Sequence, residues 1–214
     1  MGTAEGPAQM VETAKKHFLQ KLWKFQIDII INNAGVAKDA EIADIKVEDF
    51  ERTYRINVLG PIRVMQAALP YLPHDRSGRV VNVSSISSSE GFIGQSVYGG
   101  TKAALEAMTR TWSRELAERV TVNAINPGPV LTDMWGGTSA EFRQRTNAFC
   151  RHTPLAAVRP GIDGEEVMTG VEELGGRPAY VEEIGGIAGM LCTPDASWCT
   201  GQVVCANGGM RMVI

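Results

Sequence analysis

The sequence predicts an α/β fold, a three-layer sandwich built on a parallel sheet. Two observations carry that expectation. Short apolar runs of branched residues recur along the 214 residues, each closed by a turn-type cluster, and segments of helical period separate them. Strands that alternate with helices pair in parallel through right-handed crossovers, which places helices on both faces of the sheet. With 44% hydrophobic and 21% charged residues, the chain reads as a single domain with one substantial core.

The elements follow in order. Gly6-Pro7 places proline in the first helical turn, and Met10, Val11, Ala14, Phe18, Leu22 and Phe25 then recur at helical spacing, which predicts a helix reaching residue 25. Residues 27–31 form an apolar branched run, a strand buried on both faces, closed by Asn32-Asn33-Ala34-Gly35. A helix over 47–69 follows, kinked or broken within 57–61 by Gly60-Pro61. After the polar turn 73–78, residues 79–84 are the second strand, and a serine-rich loop leads to a helix over 96–119. Residues 120–125 are the third strand, ending at Asn126-Pro127-Gly128-Pro129. Residues 130–177 read as irregular, 181–191 as a helix, and 202–206 as the last strand. Within the irregular stretch, Trp135, Phe142, Phe149 and Met168 read either as a moderately apolar lid or as ordinary packing residues of a solvent-covering loop.

Composition excludes several function classes. A net charge of −3 and a pI near 5.7 leave no basic face for a nucleic acid or an anionic membrane. No apolar run approaches the ~18 residues of a membrane span, and Met1-Gly2-Thr3-Ala4-Glu5 is no signal sequence, so the expected setting is cytoplasmic. Cys150, Cys192, Cys199 and Cys205 lack Cys-x-x-Cys spacing, and His17, His74 and His152 are scattered, which suggests neither zinc nor a disulfide framework.

The chemistry clusters where parallel strands end, the place at which open α/β sheets bind ligands. Tyr98 and Lys102 are four apart on a predicted helix and share a face. A phenol titrates near pH 10, and an ammonium held close by stabilises the phenolate and draws that value toward neutrality, where acid–base work is most efficient. Ser85, thirteen residues earlier and just past a strand, can set its hydroxyl beside that tyrosine and hydrogen-bond a carbonyl oxygen. Asn57, at the helix break, offers its side chain or a freed backbone carbonyl to a water touching Lys102.

Asn32-Asn33-Ala34-Gly35, Asn57, Ser85 within Val81-Asn82-Val83-Ser84-Ser85, Tyr98-x-x-x-Lys102 and Pro127-Gly128 occur here in fixed order, with Gly201-Gln202 and Gly208-Gly209 near the end. In that conjunction the chain resembles the short-chain dehydrogenase/reductase family from about Gly6 onward. The resemblance implies a Rossmann-like sandwich and an NAD(P)-dependent oxidoreductase that interconverts a ketone and a secondary alcohol, in a setting such as secondary metabolism. It implies Tyr98 as general acid/base, Lys102 lowering its pKa and holding the nicotinamide ribose, Ser85 holding the substrate oxygen, and Asn57 anchoring a relay water. Asn33, Val130 and Thr132 join Tyr98 and Lys102 in lining the cofactor. NADP(H) is favoured over NAD(H), a choice left undecided because the segment that selects between them is absent. The expected partners are a small carbonyl or alcohol substrate and copies of the same chain, as a homodimer or homotetramer, with no nucleic acid and no membrane.

Three positions depart from the family's pattern. Gly99-Gly100 follows Tyr98, costing about 1 kcal/mol each in a helix interior, for which close cofactor approach is one compensation. Asn207 stands where an aspartate is common. Only 31 residues precede Asn32, whereas the family's glycine fingerprint lies within a βαβαβ half whose crossover units each need ~30. The chain is therefore expected to lack that first portion and to leave one edge of strand 27–31 unpaired. The alternative expectation is an inactive, truncated member that keeps an interaction surface on helix 96–119, through Ala103, Ala104, Ala107 and Met108.

Overall fold

A computed structural model describes the chain except residues 1, 4, 21–23, 169–170 and 213–214. Helix α1 spans Gly6–Leu19, with Pro7 in its first turn. It stops short of the expected residue 25; residues 21–23 lie outside the described part. Phe25 instead sits in an extended approach to the sheet, its ring edge-on to Tyr71 at 5.1 Å, while the amide of Ile27 donates to the Tyr71 carbonyl. Strand β1 is Ile29–Asn32, two residues later than expected at its start.

The expected helix 47–69 is three segments. Helix α2 (Val47–Tyr54) opens into a wide π turn over Arg55–Leu59 and resumes as α3, Gly60–Ala68. Pro61 explains the break: it has no N–H to return to the carbonyl of Asn57, four residues earlier. Strand β2 (Gly78–Val83), helix α4 (Ser96–Glu115) and strand β3 (Val120–Ile125) follow.

Residues 130–177 are not irregular, as expected, but carry four short helices: α5 (Asp133–Gly136), α6 (Ala140–Arg151), α7 (Glu165–Met168) and α8 (Val171–Leu174). The signals were local. Thr132 and Ser139 cap α5 and α6 by accepting from the amides of Trp135 and Phe142. Helix α9 (Val181–Leu191) matches the expected range, and β4 is reduced to Val203–Val204.

All strand pairs are parallel, in the order β1-β2-β3-β4. Period-two alternation sends Ile30, Val80, Val120 and Val122 to one face, against Val64, Met65 and Ala68 of α3 and Trp112 and Leu116 beyond them. Val81 and Ile125 face the other way, against Ala188 and Leu191 of α9. The fold is thus the α/β, Rossmann-like sandwich expected. A buried polar ladder crosses the first face: Asn32 donates to Asn82 and Asn82 to Thr109 of α4, both at 2.8 Å. Each member is paired, and the ladder pins register at the strand ends.

Strand β1 is the edge. Ile29 and Ile31 point to the α9 side, but α9 packs across β2 and β3, so these two side chains are 49% and 48% exposed. Among the described residues, no helix is long and apolar enough to cross a membrane.

Candidate active site

Parallel pairing brings the C-terminal ends of the strands to one end of the sheet, because Asn32 aligns with Asn82 and Val83 with Ile125. Asn33 and Asn126 follow those ends directly, and Ser85 comes two residues after β2. Helix α4 then runs beneath them with Tyr98, Thr101 and Lys102 buried on one side.

Gly99 lets α4 come that close. A Cβ there would lie 2.4 Å from the carbonyl oxygen of Ser87, and one at Gly100 would lie 2.8 Å from the Tyr54 hydroxyl. Close approach of protein, the serine loop at Gly99 and α2 at Gly100, thus accounts for the two glycines.

Lys102 is 4% exposed, and its Nζ donates to the Val83 carbonyl at 2.8 Å. Burial draws its pKa down to about 8. The same Nζ stands 5.5 Å from the centroid of the Tyr98 ring. For Tyr98 the structure reverses the expected direction. Burial pushes the phenol above its ordinary value, with a further push from the charge of Asp39, while the hydrogen bond with Ser85 opposes both. The ammonium reaches past the phenol to a strand carbonyl, so it does not overcome the loss of water around the hydroxyl.

Asn57 is 1% exposed and acts as a clamp. Its Oδ1 accepts from the amide of Val36, and its Nδ2 donates to the Val36 carbonyl and to Thr101 Oγ1. Thr101 in turn donates to the Tyr98 carbonyl at 2.6 Å. The side chain is thus committed to protein, which leaves the backbone carbonyl freed by Pro61 as the group available to a water. Gly35 closes the cluster: a Cβ there would stand 3.4 Å from both Asn57 Oδ1 and Lys102 Nζ.

Ser85 caps a 3-10 turn, Ile86–Ser88, accepting from the amide of Ser87 at 3.2 Å. Its hydroxyl contacts Ser87 Oγ at 3.1 Å, Ser87 donates to Gln95 Oε1 at 2.6 Å, and Gln95 Nε2 donates to Asp39 at 3.2 Å. Sequence reasoning missed Ser87, Gln95, Asp39 and Thr101. Thr101 and Gln95 could have been found, since both lie three residues from Tyr98 on the face it occupies. Asp39 is exposed as a residue, yet lost hydration raises its carboxyl pKa against Gln95 and Lys38, which lower it. A second support comes from Glu106, which accepts from Ser84 and Ser88 and so ties both ends of the serine loop to α4.

The remaining predicted residues lie at the rim. Asn33 and Thr132 are exposed, and Val130 is half-buried and bridged to Ala179. Past them, Phe92 meets Phe142 and Phe149 edge-on, and Trp135 meets Phe142. A cavity of about 260 Å³ opens there, lined by Gly91, Phe92, Ile93, Phe142, Arg145, Thr146 and Phe149. Of the four residues expected to form a lid, Trp135, Phe142 and Phe149 thus gather around α6 and Phe92, whereas Met168 lies on α7 and is exposed.

These residues fit one half of a nicotinamide cofactor. The Lys102 ammonium carries three protons and gives one to Val83, which leaves donors for ribose hydroxyls. Buried Asn126 Oδ1, beside Pro127-Gly128, has no partner among the described residues and can accept from an amide. No strand precedes α1 among those residues, so the fit concerns the nicotinamide end alone.

Residues 3–142 match the family described as short chain dehydrogenase. An L-xylulose reductase of Aspergillus niger is 51% identical over 94% of this chain and 73% of its own length. An L-xylo-3-hexulose reductase of Hypocrea jecorina is 50% identical over 89% of this chain and 68% of its own length. A blue fluorescent protein from a metagenomic library, solved in complex with NADPH, superposes with a TM-score of 0.72 at 28% identity, over 99% of this chain and 73% of that one.

Proposed function

The chain belongs to the short-chain dehydrogenase family and is an oxidoreductase, and on that premise we propose that it reduces a polyhydroxy ketone with NADPH, Tyr98 acting as the acid. The observation that carries this reading is the convergence of Tyr98, Ser85 and Lys102 where the strands end, with the Lys102 ammonium 5.5 Å from the centre of the Tyr98 ring.

A nicotinamide cofactor, when bound, supplies the hydride. The carbonyl carbon gains that hydride while Tyr98 gives its proton to the carbonyl oxygen. Ser85 hydrogen-bonds the same oxygen and holds it within reach. Lys102 stabilises the phenolate left behind, binds a ribose hydroxyl, and returns a proton through a water on the Asn57 carbonyl. Asn33, Val130 and Thr132 line the nicotinamide end. The names of the two reductases, together with the polar run Ser85-Ser87-Gln95-Asp39, support a ketose over an apolar ketone. The NADPH complex of the metagenomic protein supports NADPH over NADH. A homo-oligomeric, cytoplasmic enzyme is part of the same proposal, with the outward face of α4 as the pairing surface.

The test is fluorescence titration of the purified chain with NADPH and NADH, followed by NADPH oxidation with L-xylulose as substrate. Binding and turnover are expected. No binding at millimolar cofactor would leave an interaction role on α4 as the surviving reading.

A further inference from the structure

Pro129 and Leu131 are held on either side of Val130 by one residue: the Ala179 amide donates to the Pro129 carbonyl and the Leu131 amide to the Ala179 carbonyl, both at 2.9 Å. We propose that Arg177, through its fork with Glu183, is a positioning residue that sets Ala179 and thereby keeps residues 129–131 in place for the nicotinamide end of the cofactor. This inference rests on the proposed cofactor-dependent reduction, in which Val130 and Thr132 line that end.

The residues around Ala179 form a closed clasp. Arg177 is 7% exposed, and its Nη1 and Nη2 donate to the two Glu183 carboxylate oxygens at 2.9 and 2.8 Å, one planar group against another. Glu183 Oε2 also accepts from the Tyr180 amide at 2.8 Å, and Arg177 Nη1 donates to the Pro178 carbonyl at 3.0 Å. Residues 177–180 and 183 thus close into one ring, of which Ala179 is the member bonded to residues 129–131. The ring is itself anchored. The Arg177 amide donates to the Ala156 carbonyl at 2.8 Å, the Tyr180 hydroxyl accepts from the Gly164 amide at 2.8 Å, and the guanidinium lies 5.1 Å from the centre of the Tyr180 ring.

A buried ion pair can often be replaced by apolar residues of similar volume without loss of stability, so packing alone does not call for this fork. What the fork adds is direction. Two parallel bonds admit one relative orientation of Arg177 and Glu183, which the point charge of a lysine would not reproduce. The start of the loop has other supports: the Asn126 amide donates to the Val204 carbonyl, and the Pro127 carbonyl accepts from the Ile86 amide. Residues 126–127 are thus fixed by β4 and the serine loop, and beyond them Ala179 takes over. Removing the guanidinium strands no charge. Asp163, 3.6 Å from Arg177 Nε, keeps its pair with Arg159 at 2.6 Å, and Glu183, with 42% of its side chain exposed, keeps water and the Tyr180 amide.

The measurement is native-state hydrogen exchange by NMR on the full chain, which needs neither cofactor nor substrate. In Arg177→Met, exchange at the Ala179 and Leu131 amides is expected to rise about tenfold, the weight of one hydrogen bond to a charged group. Val122 and Ala124 in β3 should keep the parent's rates. Arg177→Lys should not restore the protection, because an ammonium cannot form the fork. In the same variants the Kd for NADPH, read by fluorescence titration, should rise about tenfold, while kcat at saturating NADPH stays within about twofold of the parent. General loosening would instead raise exchange in β3 and lower kcat as well. Unchanged exchange at Ala179 and Leu131, an equal rise in β3, full rescue by Arg177→Lys, or raised exchange with an unchanged Kd each overturn the proposal. Thermal melts establish which variants fold, and Glu183→Gln, which weakens the fork from its other side, decides if Arg177→Met does not. A parent chain that binds no NADPH sinks the reductase reading, and the exchange rates still decide whether Arg177 sets residues 129–131.

Discussion

Lys102 donates to the carbonyl of Val83 at 2.8 Å and holds its ammonium 5.5 Å from the centre of the Tyr98 ring. One cation thus connects the end of a central strand with the phenol. Its burial costs stability and its charge serves the proposed chemistry, and these two effects can be separated by substitution and by pH.

Lys102→Met should stabilise the chain at pH 7. The folded pKa is about 8 against an ordinary 10.5. Between these values the unfolded chain binds more protons, so stability of the parent rises with pH across that window, and below about 8 the full cost of the buried charge is present. A shift of this size corresponds to at most about 3 kcal/mol, reduced by the lost bond to Val83 to a net gain of about 2 kcal/mol. Urea midpoints of both proteins at pH 7 and pH 10 check this, the difference shrinking at the higher pH. A difference that does not depend on pH would rule it out.

Tyr98→Phe keeps the buried ring and removes only the hydroxyl. Melting temperature should change little, while kcat for ketone reduction should fall about 10²- to 10⁴-fold. Retained turnover in stopped-flow or steady-state assays would take the acid role away from Tyr98.

The same pair predicts a pH profile. The proposed reduction requires a protonated Tyr98 and a charged Lys102, and the first is held by a raised pKa while the second is lost near pH 8. The rate constant kcat/KM for reduction should therefore decline above about pH 8. In Lys102→Met the residual activity should lose that limb.

Gly99→Ala should destabilise despite alanine's helix preference. The added Cβ would stand 2.4 Å from a backbone oxygen, Ser87, which cannot move without displacing the serine loop. A loss of more than about 2 kcal/mol is expected. Gly186→Ala, in α9 with open space at that position, should instead gain up to about 1 kcal/mol. Paired urea titrations compare the two, and equal effects would contradict the close approach of α4.

Asn57→Ala removes three bonds at once and leaves the Val36 amide and carbonyl without their partner. A cost of about 2–4 kcal/mol is expected. Faster hydrogen exchange at Val36 than at core amides of β3 would locate the damage in the loop.

Strand β3 and helix α9 were legible to the residue, because a branched apolar run and a capped apolar helix each declare their own ends. Tyr98 and Lys102 were legible as a pair because helix geometry alone brings positions four apart together. What escaped the sequence depends on contacts across it. Phe25 continued the helical period of α1 but packs on Tyr71, and only the fold shows that partner. The Asp39–Gln95 bond joins residues 56 apart, and the direction of the Tyr98 shift follows from how much water the surrounding helices exclude.

Helix α4 carries Tyr98, Thr101 and Lys102, whereas Phe142, Thr146 and Phe149 of the neighbouring cavity belong to α6. The proposed proton handling and the shape of this cavity are therefore housed on separate helices. Substitutions along α6 can reshape the cavity while Tyr98 and Lys102 stay as they are. An engineer redirecting this protein to a new ketone would begin with α6 and leave α4 untouched.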